Sequence, residues 1–220
     1  MTRTRFHQGL EELKQRLLVM GGLAEQAVDR AVQAYVTRDL QMCHKVLEDE
    51  KTINASEREI DEIAVDLLAM QQPMAVDLRF LFSVIKINAD LERVGDQAVN
   101  IAERVIDMSK FALAELPVDI ARMASIASGM VHQSLEAFIE ENADLAQQVL
   151  ERDDMVDAIN RDAFESLTQV MQSNSSSTRQ ALDALIVARN LERVADHATN
   201  IAEDVIFWVR GADVRHHGVS

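Results

Sequence analysis

Apolar residues recur at intervals of three and four along almost the whole chain, which is the pattern of amphipathic helices. The pattern predicts a first helix that bends at Gly21 and Gly22 and ends near Arg38, a fourth that ends near Glu140, and others over about 39–70, 76–113, 143–171 and 178–210. Prolines interrupt it at 73 and 117, where helix is disfavoured. The polar run 173–178 offers several N-caps, and its position between two helices favours a tight loop over a flexible linker.

One part of this pattern occurs twice. Residues 90–106 return at 190–206 with twelve of seventeen positions identical, which indicates one supersecondary unit used twice. A weaker echo relates 46–54 to 149–157 at an offset of 103 rather than 100, so three residues differ in the loop between the second and third helix of each half. We therefore predict an all-α fold of two tandem, pseudo-symmetric three-helix bundles, over 1–115 and 116–211, followed by a tail at 212–220.

Composition and charge narrow the possible functions. The formal charge of −15 argues against a nucleic-acid partner, whose affinity would come largely from neutralised phosphates. No window approaches the roughly 18 apolar residues of a membrane helix, so no direct membrane insertion is expected. Glu11 and Glu12 lie where a signal peptide would have its apolar core, and the single Cys43 excludes an intrachain disulfide. We expect a cytoplasmic protein.

The repeated helix carries an apolar seam and, on another side, a polar stripe. The seam steps by four and three through Leu91, Val94, Ala98 and Ile101, which predicts that this side is buried in the core. At about 100° per residue, four polar positions of each copy fall within an arc of roughly 80°. They are Glu92, Asp96, Asn100 and Glu103 in the first copy, and Glu192, Asp196, Asn200 and Glu203 in the second.

Two interpretations of this stripe are open. Exposed helix faces are usually charged, so a solvated polar face is the simpler interpretation. However, like charges at i,i+4 destabilise a helix by about a few tenths of a kcal/mol, and both copies keep such a pair, Glu92/Asp96 and Glu192/Asp196. Carboxylates one turn apart can instead converge on a hard or borderline cation.

A neighbouring helix can supply further ligands to such a cation. Small residues beside the stripe, among them Gly95 and Ala195, allow a second helix to approach closely. The echo segments also carry oxygen donors at i,i+4, namely Glu50 and Asn54 in the first half, and Asp153 and Asp157 in the second. We therefore predict one cation site per half, formed by two helices at a partly exposed surface.

Other chemistry has weaker support in the sequence. His197 follows Asp196, but its counterpart is Gln97, so we interpret it as a surface histidine. Arg93 and Arg193 recur and could hold an anion, although ion pairs with nearby carboxylates are the simpler interpretation. The chain has no phosphate-binding glycine loop, no His-Glu-x-x-His and no Glu-x-x-His motif, so we predict that it is not an enzyme.

Four segments carry a resemblance to a known family. They are 91–96 and 191–196, which contain a duplicated Glu-x-x-x-Asp signature, together with 72–79 and 209–216. On these segments the chain resembles the PhoU family of bacterial phosphate-signalling regulators over essentially its whole length. The resemblance implies multinuclear metal sites on the surface of two pseudo-symmetric bundles, and a homodimer. Two positions depart from the usual pattern: Gln71, where a basic residue is common, and Ala195, where glycine is common.

The resemblance also implies a function. It is that of a negative regulator, which links the ATPase subunit of a phosphate ABC transporter to the sensor histidine kinase that controls phosphate-starvation genes. Glu92, Asp96, Glu192 and Asp196 would then bind metal, with the echo-segment oxygens as contributors. The ions would be divalent or ferric (Fe, Zn, Mn or Mg), and the sequence does not choose among them. A metal-storage or detoxification bundle is the alternative, because the same carboxylates would hold exchangeable ions.

Overall fold

In the computed structural model, the described residues are 2–71, 73–111, 115–212 and 214. They form six α-helices, which are α1 Thr2–Thr37, α2 Leu40–Gln71, α3 Ala75–Met108, α4 Ile120–Glu140, α5 Ala143–Ser173 and α6 Thr178–Arg210. A short 3-10 turn, Ser175–Ser177, joins α5 to α6. These ranges contain no strand, so the predicted all-α class is confirmed. None of the described helices has an apolar stretch that would reach across a lipid bilayer.

Helix α3 ends earlier than its apolar pattern predicted. After Met108 the chain tightens, because Lys110 N–H binds Asp107 O and Phe111 N–H binds Met108 O. The predicted end at Leu113 lies outside the described residues. The pattern was misleading here because its apolar residues do not all face a core, and Phe111 is 48% exposed.

Side-chain caps and a left-handed residue fix several other helix ends. Asp119 accepts a backbone N–H at the start of α4, and Asn142 accepts two at the start of α5, which satisfies donors that have no partner within the helix. Asn174 accepts a backbone N–H of the 3-10 turn, so the polar run 173–178 forms a tight loop, as predicted. Gly211, with φ of 69°, ends α6 in the left-handed conformation that glycine adopts easily.

Helices α1–α3 form one three-helix bundle and α4–α6 form the other. The repeated helix of each bundle buries the predicted seam completely, through Leu91, Val94, Ala98, Ile101 and Val105 in α3, and Leu191, Val194, Ala198, Ile201 and Val205 in α6. The tandem architecture is therefore confirmed. The predicted boundary at 115/116 falls between α3 and α4 and stays a prediction, and most of the predicted tail, 213 and 215–220, lies outside the described residues.

The offset between the halves changes in the loop before the repeated helix, as predicted. At an offset of 103, position 71 corresponds to 174, and at an offset of 100, position 75 corresponds to 175. Residues 72–74 therefore have no counterpart in the second half. The 3-10 turn takes the place of the first turn of α3.

The two bundles join where α3 packs against α6. Ser83 Oγ donates a hydrogen bond to the backbone carbonyl oxygen of Asp204 at 2.9 Å, and Lys86 forms an ion pair with the buried Asp204 carboxylate. An aromatic cluster links α3, α4 and α6, with ring centroids between 5.0 and 6.0 Å apart, and consists of Phe80, Phe138 and Trp208. One hydrophobic core therefore runs through both halves.

Helix α1 continues without interruption through Gly21 and Gly22. Gly21 is buried against α4 of the other bundle, and a Cβ atom at this position would lie 2.6 Å from Leu135 Cδ1. The glycine thus allows a close approach between the two halves within one continuous helix, and the predicted bend at this place stays a prediction.

A close contact between α2 and α3 lies beside the polar stripe. A Cβ atom on Gly95 would lie 3.0 Å from Ile53 Cδ1, which is tighter than an ordinary van der Waals contact. In the second half, Ala195 and Val156 occupy these two positions, and both are fully buried. Alanine in place of glycine on α6 is thus compensated by valine in place of isoleucine on α5. This compensation explains why Ala195 can stand where glycine is common.

We expect Gly95→Ala to be costly alone and tolerated together with Ile53→Val. The added methyl group crowds Ile53, and overpacking costs about 1–3 kcal/mol, partly offset by the roughly 0.5–1 kcal/mol by which alanine favours a helix over glycine. Ile53→Val alone should cost about 0.5–1.5 kcal/mol. Urea unfolding followed by circular dichroism should show that the double variant is at least about 0.5 kcal/mol more stable than the sum of the single effects. Strictly additive effects would contradict this account.

Candidate metal sites

In the first half, the carboxylates of the stripe lie beside the contact between α2 and α3. Glu92 and Asp96 are half-buried. The pKa of Glu92 is raised, first by burial and then by repulsion from Asp96, Glu57 and Glu50, because both effects disfavour the charged form. Burial and the charges of Asp61 and Asp96 also raise the pKa of Glu57. We define the first-half cluster as Glu50, Asn54, Glu57, Glu92 and Asp96.

Packing between α2 and α3 keeps these side chains together. Ile53, which precedes Asn54, contacts α3 at Gly95. The buried Asn88 of α3 donates from Nδ2 to the carbonyl oxygen of Glu57 at 2.9 Å and to Asp61 Oδ1 at 3.0 Å. The two helices therefore cannot move apart at the cluster without breaking buried contacts.

The second half repeats this arrangement between α5 and α6. We define the second-half cluster as Asp153, Asp157, Glu192 and Asp196. Burial, followed by repulsion from Asp157 and Asp196, raises the pKa of Asp153 to about 6. The pKa of Glu192 is raised by burial and then by Asp196, and that of Asp196 by burial and by Asp157, against the opposing effect of His197. The carboxylate pair of α5, Asp153 and Asp157, thus lies near the pair of α6, Glu192 and Asp196.

Each cluster contains a buried side-chain oxygen that accepts no hydrogen bond from the described part of the chain, Asn54 Oδ1 in one and Glu192 Oε2 in the other. The second oxygen of Glu192, Oε1, accepts a hydrogen bond from Arg189 Nη1 at 2.5 Å, and the Glu192 side chain is only 13% exposed. A buried polar atom left without a partner costs about 1–3 kcal/mol. Donor sets of oxygen alone, with unmet acceptors, fit a hard cation.

The clusters do not form a ready-made cage. Within the described ranges, no three His, Cys, Asp or Glu side chains are placed so that they could hold one ion. Repulsion between uncompensated carboxylates opposes such a cage, and an ion such as Mg²⁺ usually takes only one or two carboxylates and keeps several waters. The predicted ligand sets therefore stay predictions.

The remaining stripe residues are placed differently from the clustered carboxylates. Asn100 and Glu103 are exposed, and Glu103 lies about 10 Å along α3 from the nearest clustered carboxylate. Asn200 donates from Nδ2 to Asp90 Oδ1 at 3.1 Å, so it faces α3. Glu203 is half-buried on α6. The structure does not test these four residues as ligands, so their role in the sites stays a prediction.

His197 is not the surface histidine that the sequence suggested. Its side chain is 13% exposed, and Nδ1 lies 2.9 Å from Asp90 Oδ1. The reason is the packing of α6 against α3, which places this side of α6 inside an interface between the bundles. The counterpart of Asp90 is Asn190, so the pair exists in one copy only.

Glu57 is the cluster member that the sequence analysis missed. It lies seven residues after Glu50 and three after Asn54, so all three share one face of α2. Asn160 holds the matching position in the second half. Extending the echo by one helical turn in both copies could have found this residue.

Known proteins share both the sequence and the fold. The PhoU domain model matches the chain twice, over 17–105 and 120–205, once in each bundle. The phosphate-specific transport system accessory protein PhoU homolog of Pseudomonas putida is 40% identical over 217 residues, which are 97% of this chain and 84% of that protein. The Escherichia coli K12 accessory protein PhoU is 32% identical over 213 residues, which are 97% of this chain and 88% of that protein.

Two solved structures agree with these matches. The crystal structure of PhoU from Pseudomonas aeruginosa has a TM-score of 0.89 and 39% identity, and the match covers 94% of this chain and 100% of that one. The phosphate transport system regulatory protein PhoU from Streptococcus pneumoniae has a TM-score of 0.88 and 28% identity, with coverage of 95% and 99%. Since the family model matches both bundles and the relatives match nearly the full length, the chain belongs to the PhoU family.

Proposed function

We propose that this chain is a metal-binding regulator of phosphate uptake and of phosphate-starvation signalling, without catalytic activity of its own. It couples the ATPase subunit of a phosphate ABC transporter to a sensor histidine kinase and acts as a negative regulator, in the cytoplasm and as a homodimer. The names of its relatives support this role, since they are accessory proteins of phosphate-specific transport systems and one solved relative is a regulatory protein.

The observation that carries the metal part of the proposal is the repetition of the clusters. In both halves, carboxylates from two packed helices lie near enough to repel one another, and each cluster contains a buried oxygen that has no hydrogen-bond partner among the described residues. A bound ion would supply the positive charge that cancels their repulsion. The first-half and second-half clusters would each hold an ion between two helices, and would thereby strengthen the α2–α3 and α5–α6 packing.

The state of the single cysteine thiol is consistent with regulation without catalysis. Cys43 is fully buried, and burial raises the pKa of its thiol, which disfavours the nucleophilic thiolate. Coupling two partners then depends on binding alone. The chain would need different affinities for the conformational states of the transporter, and each partner would change the affinity for the other by the same factor.

Replacing the paired carboxylates should remove metal and keep the fold. We expect less bound metal by elemental analysis in Glu92→Ala/Asp96→Ala and in Glu192→Ala/Asp196→Ala, with unchanged helical circular dichroism. Because repulsion is relieved, the metal-free variants should be at least as stable as the wild type. The stabilisation by metal, about 2.7 kcal/mol per site at a hundredfold excess over Kd, should be lost at the altered site.

A matched control separates specific binding from loss of charge. Glu136 and Glu140 are an exposed i,i+4 pair on α4, so Glu136→Ala/Glu140→Ala removes the same charge at the same spacing. This variant should keep the metal content of the wild type. Unchanged metal stoichiometry in both cluster variants would exclude the proposed sites.

The second-half cluster should respond to pH in two opposite directions. The pKa of Asp153 is about 6, against an ordinary value of 3.8, so the folded chain holds this proton more tightly than the unfolded chain. In the metal-free chain, the resulting stability is complete below pH 3.8 and is lost as the pH rises through about 6. Metal requires the deprotonated carboxylate, so the stabilisation by metal should grow over the same range.

Thermal unfolding between about pH 4 and 7, with and without metal, measures both trends. Asp153→Asn cannot titrate at this position, and we expect it to flatten the decline in stability of the metal-free chain. Superimposable pH profiles for the wild type and this variant would show that Asp153 does not titrate in this range.

Deleting the gene from its host should distinguish regulation from metal storage. For a negative regulator we expect starvation genes to be expressed at high phosphate, and repression to return with the wild-type chain but not with the cluster variants. Sensitivity to metal with normal control of starvation genes would instead favour storage. Pull-down with the transporter ATPase and the kinase, with and without chelator, tests whether the metal is needed for either contact.

A further inference from the structure

An open apolar groove of about 550 Å³ lies between α5 and α6. Its apolar lining consists of Phe164 of α5 and of Leu185 and Ile186 of α6. Phe164 is 58% exposed, although burying a phenylalanine side chain is worth about 1.5–3 kcal/mol. The groove thus leaves apolar surface exposed to solvent, although burying this surface would stabilise the folded chain.

The internal duplication shows that the fold does not need this groove. At the offsets of the two halves, Asp61 corresponds to Phe164, and Lys86 corresponds to Ile186. Asp61 accepts a hydrogen bond from Asn88, and Lys86 pairs with Asp204, so the first half forms the same bundle with polar residues at these places. Exposed apolar surface that packing does not require marks an interaction site.

The rim of the groove carries two arginines on opposite helices. Arg161 of α5 is exposed and forms no ion pair within the described part of the chain. Arg189 of α6 contacts Glu192 through Nη1, and its side chain is 56% exposed. Among the residues that the structure describes, Glu165 is the one acidic residue that lines the groove. The chain charge of −15 is screened beyond about 8–10 Å in physiological salt. Arg189 is already paired with Glu192, so Arg161 is the arginine of the rim that a docking partner can pair with.

We propose that this groove docks an amphipathic helix of a partner protein, one that presents large apolar side chains flanked by carboxylates. An apolar groove between two helices receives the apolar face of a third helix, at positions i, i+3, i+4 and i+7. Carboxylates of that helix would pair with Arg161, and aromatic residues and arginine are enriched at protein interfaces. The docking does not depend on metal in either cluster.

A second copy of this chain fits the groove less well. A two-fold contact places the same surface on both sides, so the carboxylates that face Arg161 would have to come from the groove of the other chain, where the lining contains Glu165. A helix from a partner can present carboxylates on both of its flanks. The oligomeric state of the full chain therefore enters the test as an opposing outcome.

The test uses the full chain and a phage-displayed library of helical peptides of about 16 residues, roughly four turns, with random surface positions. Selection is made on the wild-type chain with counter-selection against Phe164→Asp, which copies the first half. We expect enriched peptides to combine apolar residues at helical spacing with an excess of Asp and Glu. Fluorescence anisotropy should show binding weaker by about tenfold or more in Phe164→Asp and in Arg161→Glu.

Two controls make the result decisive. Val65 of α2 is exposed to a similar degree, 56%, and Val65→Asp should leave peptide binding unchanged. Circular dichroism and thermal unfolding should confirm that all variants are folded. The proposal is overturned if no enriched peptide depends on Phe164, if enriched peptides are basic, or if sedimentation shows that Phe164→Asp converts a dimer into a monomer.

Discussion

Close packing between the repeated helix and its neighbour is the constraint on which both candidate sites depend. Gly95 lets Ile53 of α2 reach the backbone of α3, and about two turns earlier on α3 the hydrogen bonds of Asn88 hold the same two helices together. Free in water, carboxylates would separate, but here they stay close because their helices are locked. Burial first, and then repulsion between the carboxylates, raises the pKa values of Glu92 and Asp153. The continuous core of the two bundles offsets the cost of holding these charges together.

The duplication separates what the fold requires from what each half has added. The apolar seam has the same residue types in both copies and is fully buried in both. The clusters keep their carboxylate pairs but differ in the neighbouring helix, where Asn54 and Glu57 stand against Asp157 and Asn160. Outside seam and cluster some positions differ in kind, as Asp61 and Phe164 show. The groove occurs in the second half only and is therefore not required by the fold that both halves share.

The sequence alone predicted the helices, the seam and the carboxylate pairs, because these follow from periodicity within one helix and from the repeat. The sequence did not predict where α3 ends. An apolar residue such as Phe111 is assigned to the core by its periodicity alone, and only the structure shows that it is exposed. The sequence placed His197 on the surface, since one helix does not reveal that its polar side packs against Asp90 of another bundle. Glu57 was missed for a related reason, because its partners on α3 are distant in the chain.

The contact between α3 and α6 extends these local constraints across the whole molecule. At one contact, Ser83 and Lys86 of α3 bind Asp204 of α6, which is 2% exposed. At a second contact, Arg104 of α3 pairs with the fully buried Asp183 of α6. Arg179, one turn before Asp183 on α6, pairs with the same carboxylate. Removing one partner of a buried ion pair leaves a charge uncompensated, which costs about 3–5 kcal/mol. Sliding one helix by a turn, about 5.4 Å, would break both contacts at once. The register of α3 and α6 is therefore fixed, and since each of them carries one cluster, the separation of the two clusters is fixed with it.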